Sequence, residues 1–315
     1  MAGVSTRTLV RLLLLVQAAY ALALAVALVR FGVFTSWWVA IAVGSVSVLL
    51  LRVAITANNF VMSARSASAT PDGFRLGPAA RVRLFVEEFM ATLLQTSWFM
   101  ARPPARPTIY TDSVSAPVLL LHGYGSNSGY WAHLIPLLDA AHISHAALEL
   151  EPLLGAIDDY VPMVARAVDD LCTKSNVTRV IIVAHSMGGL VARAYLRAHG
   201  GAHLAHIFTL GSPHHGTSLA NLGPGQNAAQ MRRSKHDAIP ESAWLQALSQ
   251  AEDAQARSLI TSFYTHHDNI VAPQTSSHLA GSRNLEFGGI GHVAMGRNPR
   301  ILACLMDELL NVCTR

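Results

Sequence analysis

The sequence predicts an α/β fold, a mostly parallel sheet with helices on both faces, preceded by two transmembrane helices. Three observations carry this expectation. From Pro117 onward, apolar runs of strand length alternate with helix-like stretches, the rhythm of a parallel sheet covered on both sides. Two long uncharged segments stand in front of that region. The 315-residue chain is 51% hydrophobic and only 13% charged, whereas about 25% of residues are charged in soluble globular proteins.

Residues 12–29 carry no charge, Arg30 interrupts, and residues 31–51 again carry none. A helix needs about 20 apolar residues to cross a bilayer core. Two spans are therefore expected over residues 10–29 and 36–56, joined by a tight turn at "RFGVFTS", so that residues 1–60 form a helical hairpin anchor. Trp37 and Trp38 open the second span and Arg52 closes it, residue types that favour the membrane–water boundary. The run "ALALAVAL" has the small residues of a signal-peptide cleavage site, but the apolar core exceeds the roughly 7–15 residues of a signal peptide and a second segment follows at once. A retained hairpin is the better reading. Arg7 and Arg11 precede the first span, Arg52, Arg65, Arg75, Arg81 and Arg83 follow the second, and the turn holds only Arg30. Cations favour the cytoplasmic side, which places both termini and the large C-terminal domain there. Cys172, Cys304 and Cys313 are odd in number, without metal or disulfide spacing, and read as free thiols.

Residues 61–112 connect the anchor to the domain. "SARSASATPDGFRLGP" (63–78) reads as a linker. In "ARVRLFVEEFMATLLQTSWFMA", Val82, Phe85, Val86, Phe89, Leu93 and Leu94 recur at helical spacing, with Arg81, Arg83, Glu87 and Glu88 on other faces. Such a helix packs on the next domain, the reading we favour, or lies in the membrane interface. "ARPPARP" ends it, because proline lacks the amide and restricts its predecessor.

Residues 113–315 form the α/β domain. "VLLLHG", "HAALEL", "VIIVAH", "HIFTLGSP" and "LITSFYT" are its expected strands, and there is no internal repeat or glycine-rich phosphate cradle. In "VIIVAHSMGGLVARAYL", residues 180–184 read as a strand and residues 189–197 as a helix, which leaves Ser186 on the corner between. Ala184, Gly188 and Gly189 are small, as a doubling-back backbone requires. A serine here could simply cap the helix. The flanking small residues favour instead a reachable, strained serine beside helix amides that can receive developing negative charge.

"AHSMGG" resembles the nucleophile elbow of the α/β-hydrolase superfamily, with Ala184 in place of the first glycine. "VLLLHGYGSNSGYW" resembles the strand and loop that build its oxyanion hole, "TLGSPHHGT" a segment of bacterial lipases and of GPI inositol-deacylase-like hydrolases, and "GGIGHVAM" a catalytic histidine loop. The resemblance spans about residues 115–315 and implies an α/β-hydrolase fold. It implies Ser186 as nucleophile, with an acid and then a histidine following in chain order. Of the 15 histidines, His292 sits best as base, after a glycine-rich loop and before the last helix, and Asp268 in "HHDNIVAP" is the best acid. His266, His267 and His278 are weaker candidates for the base. Asp237 and Asp253 precede the last expected strand and should not reach the imidazole. The backbone amides of Tyr124 and Met187 are the expected oxyanion hole. His122, His185 and Trp244 are expected at the substrate, while His214 and His215 support the site.

The resemblance also places a small cap at about residues 217–252, where Gly223, Pro224 and Gly225 suggest a hinge, Trp244, Leu245 and Leu248 could cover an apolar site, and Arg232, Arg233 and Lys235 could meet anionic head groups. Calcium-dependent relatives carry an aspartate just past the catalytic histidine, but Val293, Ala294 and Met295 follow here. No zinc spacing occurs either, so no metal or other cofactor is expected. The net charge of +4 is spread too sparsely for a nucleic-acid partner. The expectation is a membrane-anchored serine ester hydrolase acting on lipid or other apolar esters, in a bacterial inner membrane, with oligomeric state unread. The alternatives are an acyltransferase or thioesterase with the same residues, or a non-catalytic scaffold.

The charge asymmetry makes the first prediction. A reporter that works only in the cytoplasm should be active when fused after Arg315 and silent when inserted at Gly32. The reverse pattern would place the domain on the other side of the membrane.

Overall fold

The computed structural model describes residues 4–113, 115–234 and 240–313. It opens with α1 (Thr6–Arg30) and α2 (Trp37–Ala64), an antiparallel pair long and apolar enough to cross a membrane. Ser5 caps α1 by accepting from the Thr8 amide. Small residues let the helices approach: Ala25 and Ala40 are buried between them, and a side chain on Gly44 would strike the backbone of Ala21. Arg52 spans the pair and the chain beyond it, donating to Gln17 Oε1 at 2.9 and 2.6 Å and to Ser97 Oγ at 2.7 Å.

Helix α2 does not stop at residue 56. It runs on to Ala64 because "NNFVMSA" contains no breaker, and its last turns stand against the domain. The linker after it is docked rather than free: the Ser68 amide and hydroxyl donate to Gln274 Oε1 at 3.0 and 3.2 Å, and Phe74 packs on His266 with ring centroids 4.5 Å apart.

Helix α3 (Pro78–Leu94) begins with proline in its first turn and ends in a wider turn over Gln95–Phe99. It packs on the domain, but by a different face from the one its pattern suggests. Val82 and Val86 are 65% and 50% exposed, while Leu84, Glu88 and Ala91 are buried. The reason lies in the domain surface it meets, where the backbone amides of Val293 and Ala294 donate to the two oxygens of Glu88.

The domain itself follows the order β1 (Val118–Leu121), α4 (Ile135–Ala140), β2 (His145–Leu148), α5 (Val161–Ser175), β3 (Val180–His185), α6 (Met187–His199) and β4 (Leu204–Leu210). After β4 come α7 (Gln226–Gln230), α8 (Ala243–Gln250) and α9 (Ala254–Ser258), then β5 (Ile260–Thr265), β6 (Arg283–Phe287) and α10 (Pro299–Cys313). The six strands are all parallel in the order β2-β1-β3-β4-β5-β6. Alternate residues feed two apolar layers. Leu119, Leu121, Ile182 and Ala184 join α5 and α6 on one face, while Val118, Leu120, Ile181 and Val183 meet α4 and α10 residues on the other. The sixth strand, "RNLEF", was not anticipated. It is a half-exposed edge whose charges read as loop.

The hairpin's open end meets the carboxyl end of this sheet. Just past β2, Glu149 pairs with Arg7 at 2.8 Å, and Glu151 accepts from the Thr6 amide at 3.0 Å. The same strand ends, where ligands bind in such sheets, thus face the α1–α2 hairpin. Cys172 and Cys304 are unpaired.

Tight helix contact at Gly44 makes a second prediction. Gly44→Leu must push α2 off Ala21, at about 1–3 kcal/mol for overpacking, and should lower the unfolding temperature in detergent. An unchanged temperature would mean that the two helices do not pack there.

Candidate active site

Neighbouring strands β1 and β3 send their connections in opposite directions along the sheet. A crevice therefore opens beyond their carboxyl ends, and the loop at residues 122–127 and Ser186 both enter it. Ser186 has φ 55° and ψ −125°, a conformation costing a non-glycine residue about 1–3 kcal/mol. Packing holds it there. A side chain on Gly188 would come 2.5 Å from the Leu121 carbonyl oxygen, and one on Gly189 would overlap the Ser212 hydroxyl. On the other side, a side chain on Gly123 would lie 2.8 Å from Ser186 Cβ, so the loop carrying Tyr124 runs directly against the serine. Met187 begins α6, whose positive end points at the same place.

His292 is buried, and its Nδ1 donates to Asp268 Oδ2 at 2.8 Å. The carboxylate is fixed in turn, because its Oδ1 accepts from the amides of Ile270 and Val271 at 2.8 and 2.7 Å. Asn269 holds the histidine's backbone, accepting from the His292 amide at 3.0 Å. Burial alone would depress the imidazole pKa. The charge and hydrogen bond of Asp268, with help from the charge of Glu88, outweigh it and raise the value above the ordinary one. Ser186, His292, His185 and Tyr124 all line one cavity of about 410 Å³.

Glu88 is the residue the sequence did not single out. It comes from α3, is 0% exposed, and accepts the amide of Val293 at 3.0 Å and that of Ala294 at 2.9 Å. Gly291 leaves room for it, since any side chain there would meet the carboxylate. Burial pushes the Glu88 pKa up against the two amides, which favour the charged form. The sequence signal is a glutamate on a helix with Leu84, Phe85 and Ala91 3 or 4 residues away on the same side.

Other expected residues fall elsewhere. His185 lines the cavity, stacks on Tyr130 at 4.0 Å, and donates from Nε2 to the His292 carbonyl at 3.2 Å. Burial and the neighbouring His292 hold its pKa well below the usual value, so it is neutral. His122 does not line the cavity. Its Nδ1 bonds the Gly123 carbonyl and its Nε2 accepts from the Leu150 amide at 3.0 Å, which joins the loops after β1 and β2. Trp244 is also absent from the lining. Its indole donates to Asp158 at 2.8 Å beneath the Arg197 guanidinium, because Asp158 offers an acceptor on the outer side of the domain. Leu245 and Leu248 likewise join the core instead of covering the site. The cap side of the cavity is lined by Leu219, Ala220, Leu222, Gly223, Ala228 and Met231.

His214 packs against Arg193, which is locked to Glu252 in a buried two-bond pair at 2.6 and 2.7 Å. His215 bonds Glu241, and Arg233 donates to the His215 carbonyl. His266 bonds Glu286, His267 accepts from the Gly289 amide, and His278 packs edge-on against Tyr264. Asp253 caps α9. Lys235 and Asp237 lie outside the described residues. Among the described residues no group of three or more His, Cys, Asp or Glu could hold a metal ion.

Residues 153–286, which include Ser186 and Asp268, match the family model described as "PGAP1-like alpha/beta domain". Similar solved structures include the mature form of Bacillus licheniformis lipase BlEst2, with 17% identity and a TM-score of 0.55 over 66% of this chain and 96% of that one. Aspergillus fumigatus lipase B is similar with 19% identity and a TM-score of 0.53, over 69% of this chain and 61% of that one. The chain thus has the α/β-hydrolase fold seen in lipases and esterases, and its residues 153–286 match the PGAP1-like alpha/beta domain.

Proposed function

We propose that this protein is a membrane-anchored serine ester hydrolase that cleaves carboxylic esters of lipids or similar apolar substrates. The observation that carries the reading is the Asp268–His292 pair, buried at 2.8 Å, with the strained Ser186 in one cavity with His292. Supporting it are the match of residues 153–286 to the PGAP1-like alpha/beta domain and the likeness of the fold to that of lipases.

In this reading His292 Nε2 takes the Ser186 proton as Oγ attacks the ester carbonyl. The oxyanion so formed accepts hydrogen bonds from the amides of Met187 and Tyr124. His292 then returns the proton to the leaving alcohol, and water repeats the sequence on the acyl-enzyme to release the acid. Asp268 stays ionised throughout and holds Nδ1–H in place. Glu88 and Asn269 fix the backbone that carries the imidazole. We place residues 1–60 in the membrane as anchor, residues 61–112 as the connector docked on the domain, and the domain of residues 113–315, with its small cap, on the cytoplasmic side. The arginine asymmetry and the Arg7–Glu149 contact, which draws the helix start to the domain, support that placement.

A third prediction tests the reacting residues. Ser186→Ala should abolish fluorophosphonate labelling and ester turnover without unfolding the chain, and Asp268→Asn should cost up to about 10⁴-fold in turnover. Asp253→Asn should cost little. The base must be neutral to act, so the acidic limb of kcat/KM should lie above about 6.5, because the folded-state pKa of His292 is raised. By the same sign, stability from His292 protonation is complete below about 6.5 and is lost as pH rises through the folded value. Turnover surviving in Ser186→Ala would end this reading.

A fourth prediction concerns Glu88. Glu88→Gln sets an NH₂ group against one of the two amides it now accepts, and an unsatisfied buried donor costs about 1–3 kcal/mol. The His292 loop should shift, and kcat on a soluble ester should fall about 10-fold or more with KM unchanged. Equal losses in both would deny Glu88 this positioning role.

A further inference from the structure

The length of the hairpin sets a depth for the domain that grips it. On α1 the uncharged residues 12–29 rise about 27 Å, and on α2 the distance from Trp37 to Asn58 is about 31 Å, at about 1.5 Å per residue. Both match the roughly 30 Å of a bilayer core. Arg11 and Asn58 therefore mark its boundary on the domain side, yet the domain's connector reaches past them. Arg52 donates to Gln17 Oε1, to Thr96 Oγ1 at 3.3 Å and to Ser97 Oγ at 2.7 Å. Gln17 lies about 9 Å inside the level of Arg11, and Arg52 about 9 Å inside that of Asn58. The two helices give the same depth. Arg11 itself donates to the Ala101 carbonyl at 2.9 Å, so the chain over Gln95–Phe99 dips inward and then climbs back along α1.

A boundary at Arg52, where composition alone would end the second span, would leave Leu12, Leu13, Leu15 and Val16 of α1 and Ile55 of α2 in water, each at least half exposed. A tilted hairpin would sink the contact further still. The contact is also built for low polarity. A guanidinium below the boundary must bring its own acceptors, and Arg52 has those of Gln17, Thr96 and Ser97. The turn over Gln95–Phe99 bonds its own backbone, as a segment away from water must, and the Met100 amide closes it onto the Gln95 carbonyl at 3.0 Å. Trp98 points out of it, 54% exposed, with the Arg102 guanidinium 4.4 Å from its ring centroid. A tryptophan beneath a cation whose stem can rise to the surface suits the lipid boundary.

We infer that the turn Gln95–Phe99 is a third membrane-embedded element, sunk about 9 Å into the domain-side leaflet with Trp98 facing lipid. This rests on the reading of α1 and α2 as a membrane anchor. Because Gln95 and Thr96 also line the cavity of Ser186, part of that cavity's wall lies at the depth of the acyl chains.

The test uses the full chain in phosphatidylcholine nanodiscs, with Cys172, Cys304 and Cys313 replaced by alanine and one polarity-sensitive fluorophore attached through Leu22→Cys, Trp98→Cys or Lys174→Cys. Leu22 lies within α1, and Lys174 is exposed near the end of α5. The label at position 98 should emit to the blue of that at 174. It should lose intensity to phosphatidylcholine spin-labelled on the upper acyl chain and keep it when iodide is added to the water. Position 22 should be quenched most by lipid spin-labelled near the chain end, and position 174 by iodide alone. In the unlabelled chain, dibrominated phosphatidylcholine should quench less of the tryptophan fluorescence of Trp98→Phe than of the wild type. Iodide quenching at 98 equal to that at 174, lipid quenching present at 22 but missing at 98, or an equal loss in Trp98→Phe and wild type would overturn the inference and leave the anchor intact. A label at 22 that iodide reaches as freely as it reaches 174 would sink the anchor reading, and this inference with it.

Discussion

A carboxylate with no exposed surface accepts the two backbone amides that follow His292, and much of the arrangement depends on that contact. Glu88 belongs to α3, and α3 follows the α1–α2 hairpin. Through it the segment that follows the hairpin reaches into the centre of the α/β domain. The cost of burying the charge is offset only because both oxygens find donors. That need fixes the rotation of α3 about its axis and explains why Val82 and Val86 face outward. It also fixes the loop that presents the imidazole to Asp268. The linker contact of Ser68 with Gln274 and the Arg7–Glu149 pair act in the same direction, so anchor and domain pack as one body.

The parts of the fold governed by local rules could be read from the sequence. Hydrophobic length announced the hairpin, apolar runs announced five of six strands, and the small residues about Ser186 announced a corner that the backbone indeed turns at positive φ. Asp268 and His292, separated by 24 residues, are brought into one hydrogen bond. What escaped depends on partners far away in the chain. β6 is an edge strand, and its charges at Arg283 and Glu286 break the alternation that would signal burial. Glu88 looks like a solvated charge until the amides 205 and 206 residues away are known. Trp244 looks like a lid aromatic, yet Asp158 claims its indole.

The end of α2 shows the same limit in a more consequential form. Composition puts the membrane boundary near Arg52, and nothing in "NNFVMSA" distinguishes a fraying helix end from a functional wall. Only the packing decides. Because α2 continues unbroken to Ala64, Asn58 and Asn59 are carried past Arg52 and line the cavity that holds Ser186. Had the helix stopped at residue 56, as apolar length alone suggests, the crevice at the strand ends would open to water on that side.

This geometry also bears on why an anchor precedes the domain at all. A tether that served only to hold the domain in place would need no contact with the cavity, and a flexible linker would suffice. Here the linker is docked, the helix pair contacts the carboxyl ends of the strands, and one of its helices supplies lining residues. Removing the hairpin would therefore do more than shorten the chain. It would take Asn58, Asn59 and Met62 from the lining of the cavity. The hairpin is thus part of the cavity wall, a conclusion that follows from where α2 ends rather than from how apolar it is.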